Sequence, residues 1–142
     1  MVALALVLAG DDVREEDGPE EGQMKIAITA TTPDLTGRLD VRFGRARYLL
    51  LVDTSSHSVE AVDNSAGKSA AQGAGIQAAQ TVIDGGASAL ITGNCGPKAF
   101  RALEAAGISV FLAEEGSLTE VLDKFERGEL KPSAAANVGG HW

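Results

Sequence analysis

The apolar pattern changes character at about residue 64. Lys25–Ala30 (KIAITA) reads as a short apolar strand, followed from Thr31 to Ala46 by a loop rich in turn formers and arginine. Arg47–Thr54 (RYLLLVDT) is continuously apolar in its middle, the mark of a strand buried on both faces. Ser55 and Ser56 leave room only for a short turn into His57–Asp63 (HSVEAVD), so these two strands are predicted to form an antiparallel hairpin. Beyond it, helical and strand patterns alternate. Ser69–Asp84 places Ile76, Ala79 and Ile83 on one helical face and is stopped by Gly85-Gly86. Ala87–Thr92 is a strand. Pro97–Ala106 is a helix, with Pro97 suited to its first position and Gly107 to its C-terminal cap. Ile108–Leu112 is a strand. Ser117–Arg127 has a capping-box pair, Ser117 and Glu120, an apolar stripe of Leu118, Val121, Leu122 and Phe125, and a stop at Gly128.

The resulting order, βββαβαβα, implies parallel strands joined by right-handed crossovers, with the hairpin as an antiparallel addition. The expected fold is α/β: one mixed five-stranded sheet with three helices. The 142 residues suit one domain, placed at 24–130, with a flexible tail over 131–142. Residues 1–23 do not share the pattern. Val2–Ala9 is too short an apolar run to span a bilayer, and no Lys or Arg precedes it as in a signal peptide. The segment reads as a non-structural, disordered extension, as from a start codon assigned too early.

Charge sharpens this division. The net charge is −8, and the stretch DDVREEDGPEE (residues 11–21) alone carries −6, so the domain itself is nearly neutral. Nucleic-acid binding finds no support in that balance, nor in an aromatic content of 4%, too low for base-stacking platforms. A single cysteine excludes an internal disulfide and fits a reducing compartment. The expectation is a cytoplasmic monomer without membrane contact.

In sheets of this kind the ligand crevice lies outside the carboxyl ends of the parallel strands. Three segments should meet there: Thr31–Arg47, Asn64–Gly75, and Thr92–Lys98 (TGNCGPK). The last combines glycine N–H groups, the positive end of the helix opening at Pro97, and Lys98, which together favour an anion. The same features also make an ordinary strand-to-helix turn. Arg38, Arg42, Arg45 and Arg47 crowd into ten residues, the most pronounced local charge in the domain. Gly73-Ala-Gly75-Ile-Gln-Ala78 matches G-x-G-x-x-A but does not directly follow a strand, so close helix packing explains it better than a dinucleotide site. Gly67-Lys68-Ser69 lacks the upstream glycine of a phosphate-binding loop, since Val62 stands there. No Cys or His pair has zinc-ligand spacing, and no Ser/His/Asp grouping is visible. Cys95, at a helix N-terminus, reads either as a thiol of lowered pKa or as a small half-buried residue.

Three blocks in order resemble the nitrogenase iron–molybdenum cofactor biosynthesis family. They are Arg42-Phe43-Gly44-Arg45-Ala46 with Val52-Asp53; Asn64 with Gln72-Gly73-Ala74-Gly75-Ile76-Gln77-Ala78-Ala79; and Ile91-Thr92-Gly93-Asn94-Cys95-Gly96-Pro97-Lys98-Ala99. The likeness extends over about Met24–Leu130. It implies a ribonuclease-H-like fold and the non-covalent carriage or storage of an anionic metal–sulfur cluster: a molybdenum–copper sulfide cluster, or a related molybdenum or iron–sulfur one. The residues implied to hold it are Arg42, Phe43, Gly44, Arg45, Asn64, Gly73, Gly75, Gly93, Asn94, Gly96 and Lys98, with Cys95 available to a soft metal. The crevice loops hold no histidine. The expectation is a carrier and not an enzyme, with proteins of cofactor delivery as possible partners. The alternatives are a regulatory or scaffold domain and, on the same fold, a metal-dependent nuclease. A nuclease needs clustered carboxylates, normally with one in the first strand, and Lys25–Ala30 has none.

Overall fold

A computed structural model describes residues 24–64 and 73–133. The extension 1–23, the start of the first helix at Ser69, the Gly67-Lys68-Ser69 motif and the tail from residue 134 lie outside the described residues. The elements follow the expected order: β1 (Lys25–Ala30), β2 (Tyr48–Asp53), β3 (Val59–Asp63), α1 (Ala74–Asp84), β4 (Ala89–Thr92), α2 (Pro97–Ala105), β5 (Ser109–Leu112) and α3 (Leu118–Glu126). They build one five-stranded sheet in the order β3-β2-β1-β4-β5. β1 runs antiparallel to β2 and parallel to β4, β2–β3 is antiparallel, and β4–β5 is parallel.

Helices cover both faces, which is why the central strands are apolar without alternation. On one face Ala27, Leu49, Leu51, Leu90 and Val110 meet Ala78, Ala79 and Val82 of α1 and Ala99, Phe100 and Leu103 of α2. On the other, Ile26, Ile28, Leu50, Val52 and Ile91 meet Leu118, Val121 and Leu122 of α3. Phe125 of α3 stands edge-on to Phe111 of β5, with centroids 5.0 Å apart.

The buried stripe of α1 differs from the expected one. Ala74, Ala78, Ala79 and Val82 face inward, Ile83 is only partly buried, and Ile76 is 42% exposed. Small residues decide this, because α1 lies so close to α2 that a Cβ on Gly75 would stand 3.3 Å from the Ala99 Cβ. The bulkier isoleucines are displaced to the flank. All three helices stop on a left-handed glycine, Gly86, Gly107 and Gly128, with φ between 75° and 80°. In each, that glycine's N–H and the next residue's N–H return to the last turn, as when Gly107 donates to the Glu104 carbonyl and Ile108 to that of Leu103.

The β2–β3 turn is longer than two residues. The Asp53 carboxylate accepts from the Ser55 N–H (2.9 Å), the Ser55 hydroxyl (2.7 Å) and the Ser56 N–H (3.3 Å). The hydroxyl bond, then the two N–H bonds, hold its pKa below the ordinary aspartate value. His57 therefore belongs to the turn, at φ 62°, and not to the strand; its Nε2 lies 2.8 Å from Glu126 Oε2 on α3. Residues 132 and 133, expected to be part of a flexible tail, lie along β5: Pro132 bridges Phe111, and the Ser133 N–H donates to the Val110 carbonyl at 2.7 Å. A proline there blunts an exposed sheet edge. Among the described residues, no helix is long and apolar enough to cross a membrane.

Candidate functional site

The connection from β1 to β2 crosses the carboxyl end of the sheet as a ribbon, bonded along its length to distant parts of the chain. At α3, the Leu39 N–H donates to the Gly116 carbonyl (2.9 Å) and the Leu118 N–H to the Gly37 carbonyl (3.0 Å). At the β4–α2 loop, the Phe43 N–H donates to the Asn94 carbonyl (3.2 Å), and the Asn94 side-chain amide donates to the Val41 carbonyl (3.1 Å). At the end of β3, the buried Asn64 amide donates to the carbonyls of Ala46 (2.8 Å) and Gly44 (3.4 Å). Parts of all three predicted segments thus meet. Gly44 lies directly on α1, where a Cβ would stand 2.6 Å from the Gly75 nitrogen. The first turns of α1 and α2 consequently sit side by side under the ribbon.

These two helix starts differ from the third. Ser117 caps α3 by accepting the Glu120 N–H, whereas α1 and α2 begin at Gly73 and Gly96 with no side-chain cap among the described residues. Their leading N–H groups carry partial positive charge that an anion can satisfy. Cationic side chains stand nearby. Arg42 and half-buried Arg45 lie in the ribbon, and Lys98 is exposed in the first turn of α2. Arg38 lies midway along the ribbon, where it bridges Ser117, and Arg47 at its end; Arg47 stacks over Tyr48, 5.1 Å from its ring centre.

The predicted site residues therefore divide by role. Arg42, Arg45 and Lys98 bring charge, while Gly73 and Gly96 open helices. Phe43, Gly44, Asn64, Gly75, Gly93 and Asn94 build the rim: Phe43 is 1% exposed, and a Cβ on Gly93 would meet the Val41 Cβ at 2.5 Å. Cys95 is neither half-buried nor activated. It packs in the core at 1% exposure, and burial pushes its thiol up to about 12. The loss of solvation outweighs the helix end expected to lower it. Because the unfolded thiol ionises near 9, stability owed to the neutral buried form is complete below pH 9 and is lost as pH rises toward 12. The expected slope is about 1.4 kcal/mol per pH unit. Urea unfolding between pH 8 and 10.5 should show Cys95→Ala losing less stability over that interval than the parent; equal losses would contradict the assignment.

Sequence reasoning missed a buried polar stack beneath the ribbon. Thr29 and Thr92, both wholly buried near the ends of β1 and β4, have hydroxyl oxygens 2.9 Å apart, and Thr29 Oγ1 lies 2.6 Å from the Asp40 carbonyl oxygen. That carbonyl can only accept, so the Thr29 proton goes to it and Thr92 donates to Thr29. The Asp40 carboxylate, 8% exposed as a residue, accepts the Arg42 N–H at 3.1 Å and lies 3.5 Å from Arg42 Nε. The legible signals were Asp two positions before Arg, an Asx-turn spacing, and hydroxyls within otherwise apolar strands. Among the described residues, no group of three or more His, Cys, Asp or Glu is placed to hold a bare metal ion.

A mixed α/β sheet with two glycine-led helix starts under a basic ribbon defines a small domain suited to holding an anion. Residues 24–128 match the dinitrogenase iron–molybdenum cofactor family, and the chain belongs to it. It is similar to the apo form of the orange protein from Desulfovibrio gigas, at 42% identity and a TM-score of 0.78 over 84% of this chain and 100% of that one. It is also similar to a protein from Thermotoga described as of NifB type (34% identity, TM-score 0.71, 82% and 99% of the two chains). A protein of uncharacterized function from Methanocaldococcus jannaschii is 31% identical over 111 residues, covering 76% of this chain and 90% of the relative.

Proposed function

We propose that this protein carries or stores an anionic, molybdenum-containing metal–sulfur cluster, such as a molybdenum–copper sulfide, without covalent bonds to it and without catalysing a reaction. The observation that carries this reading is the convergence of the α1 and α2 N-termini with Arg42, Arg45 and Lys98 at one end of the sheet. Thiometallates are bulky, soft-surfaced anions, and N–H groups with cationic side chains suit them better than a ligand set of fixed coordination geometry. Membership of the family and the likeness to the orange protein support the same cargo. Burial of Cys95 favours a cluster held by hydrogen bonds and charge over one anchored by a thiolate.

The test is to mix the apo protein with tetrathiomolybdate and a copper(I) salt, desalt, and record the visible spectrum and metal content. A coloured complex of fixed metal stoichiometry is expected. Loss of all colour and molybdenum on desalting would overturn the carrier reading. A scaffold role would show instead as stable capture of a protein partner by the metal-free form. A nuclease would show magnesium- or manganese-dependent cleavage, and none is expected.

A further inference from the structure

Arg42 is not simply a surface charge beside the site. Its side chain is 46% exposed, yet its backbone N–H and its Nε both address one carboxylate oxygen, Asp40 Oδ1. Asp40 is itself held by its main chain: its N–H donates to the Thr29 carbonyl at 3.0 Å, and its carbonyl accepts the Thr29 hydroxyl. Thr29 is in turn bonded to Thr92. A hydrogen-bonded line thus runs from the dry interior between β1 and β4 out to one exposed guanidinium. Such a line restricts a rotamer-rich side chain before any ligand arrives, which lowers the entropy lost on binding.

We infer that Asp40 is a positioning residue: it grips Arg42 through Nε, leaving the two terminal amino groups to bind a thiometallate dianion across the α1 and α2 N-termini. The inference rests on the proposed cargo. It has a distinctive sign. A carboxylate near an anion site repels the anion, so if Asp40 acted only as a charge, removing it would tighten binding. If it positions Arg42, removing it must weaken binding despite the relief of repulsion.

The experiment is titration of the full-length protein with tetrathiomolybdate alone, followed by visible absorbance, with thermal unfolding recorded for each variant. Asp40→Ala is expected to bind about tenfold more weakly than the parent. Asp40→Asn, which keeps the accepting oxygen but not the charge, should bind at least as tightly as the parent. Arg42→Lys keeps the charge on a side chain that is 46% exposed but has no Nε to meet Asp40, and should also lose about tenfold. In an Arg42→Ala background, Asp40→Ala should produce no further weakening. Tighter binding by Asp40→Ala, or parental binding by Arg42→Lys, would overturn the inference even if Asp40→Ala proves too unstable to assay. Failure of the parent itself to bind tetrathiomolybdate would instead remove the carrier reading on which the inference rests.

Discussion

Gly44→Ala is expected to destabilise the protein by about 3 kcal/mol, the upper end of overpacking costs, and to abolish retention of the cluster after desalting. The new Cβ would meet the Gly75 nitrogen at 2.6 Å, the Gly75 Cα at 2.8 Å and the Ala74 carbonyl carbon at 2.9 Å. These are backbone atoms, so no rotamer change can relieve the contact. Neither side can retreat easily: the ribbon is bonded to Asn94 and Asn64, and α1 is backed by α2 at Ala99. The chain must therefore lift the ribbon away from α1. That movement separates Arg42 and Arg45 from the helix N-termini, so stability and binding fall together. Urea unfolding and visible absorbance of the same preparation measure both. Parental values in both would mean that the ribbon does not bear on α1.

Asn64→Ala should cost about 3 kcal/mol, because it leaves the buried Ala46 and Gly44 carbonyls without their amide donor. A lost hydrogen bond is worth about 1 kcal/mol, and each stranded buried acceptor adds on the order of 1 to 2. The informative comparison is Asn64→Asp. It has nearly the same shape, but an ionised carboxylate cannot donate and would face two carbonyl oxygens. It should be at least as damaging as alanine. If Asp were tolerated, packing and not donation would be the role of residue 64. Cluster binding should weaken in both variants even where folding survives, because the ribbon is then released from the end of β3.

Much of the architecture was legible in local pattern. Period and punctuation report backbone conformation directly, so the eight elements, their order, the Ser117 cap and the glycine stops at Gly107 and Gly128 could be read residue by residue. The meeting of three loops followed from the rule that parallel strands of one sheet end on the same side. Element edges were set by side-chain hydrogen bonds: His57 and Arg47 both fall just outside the strands expected to include them, where the Asp53 and Asn64 hydrogen bonds redirect the chain.

What tertiary structure alone decided was facing. The sequence marked Phe43, Gly44, Asn64, Gly75, Gly93 and Asn94 as one constellation with Arg42, Arg45 and Lys98, yet the first six build the rim and the last three bring charge. Cys95 sits at the helix start expected for it, but its thiol turns into the core. α1 buries alanines and leaves Ile76 outside. Asp40, unremarked in the sequence, holds Arg42. Each outcome depends on contacts between residues far apart in the chain: Gly44 with Gly75, Asn64 with Ala46, Thr29 with Thr92. Local sequence determines the conformation a segment adopts. Which of its side chains meets solvent, core or cargo is determined by what the rest of the chain packs against it.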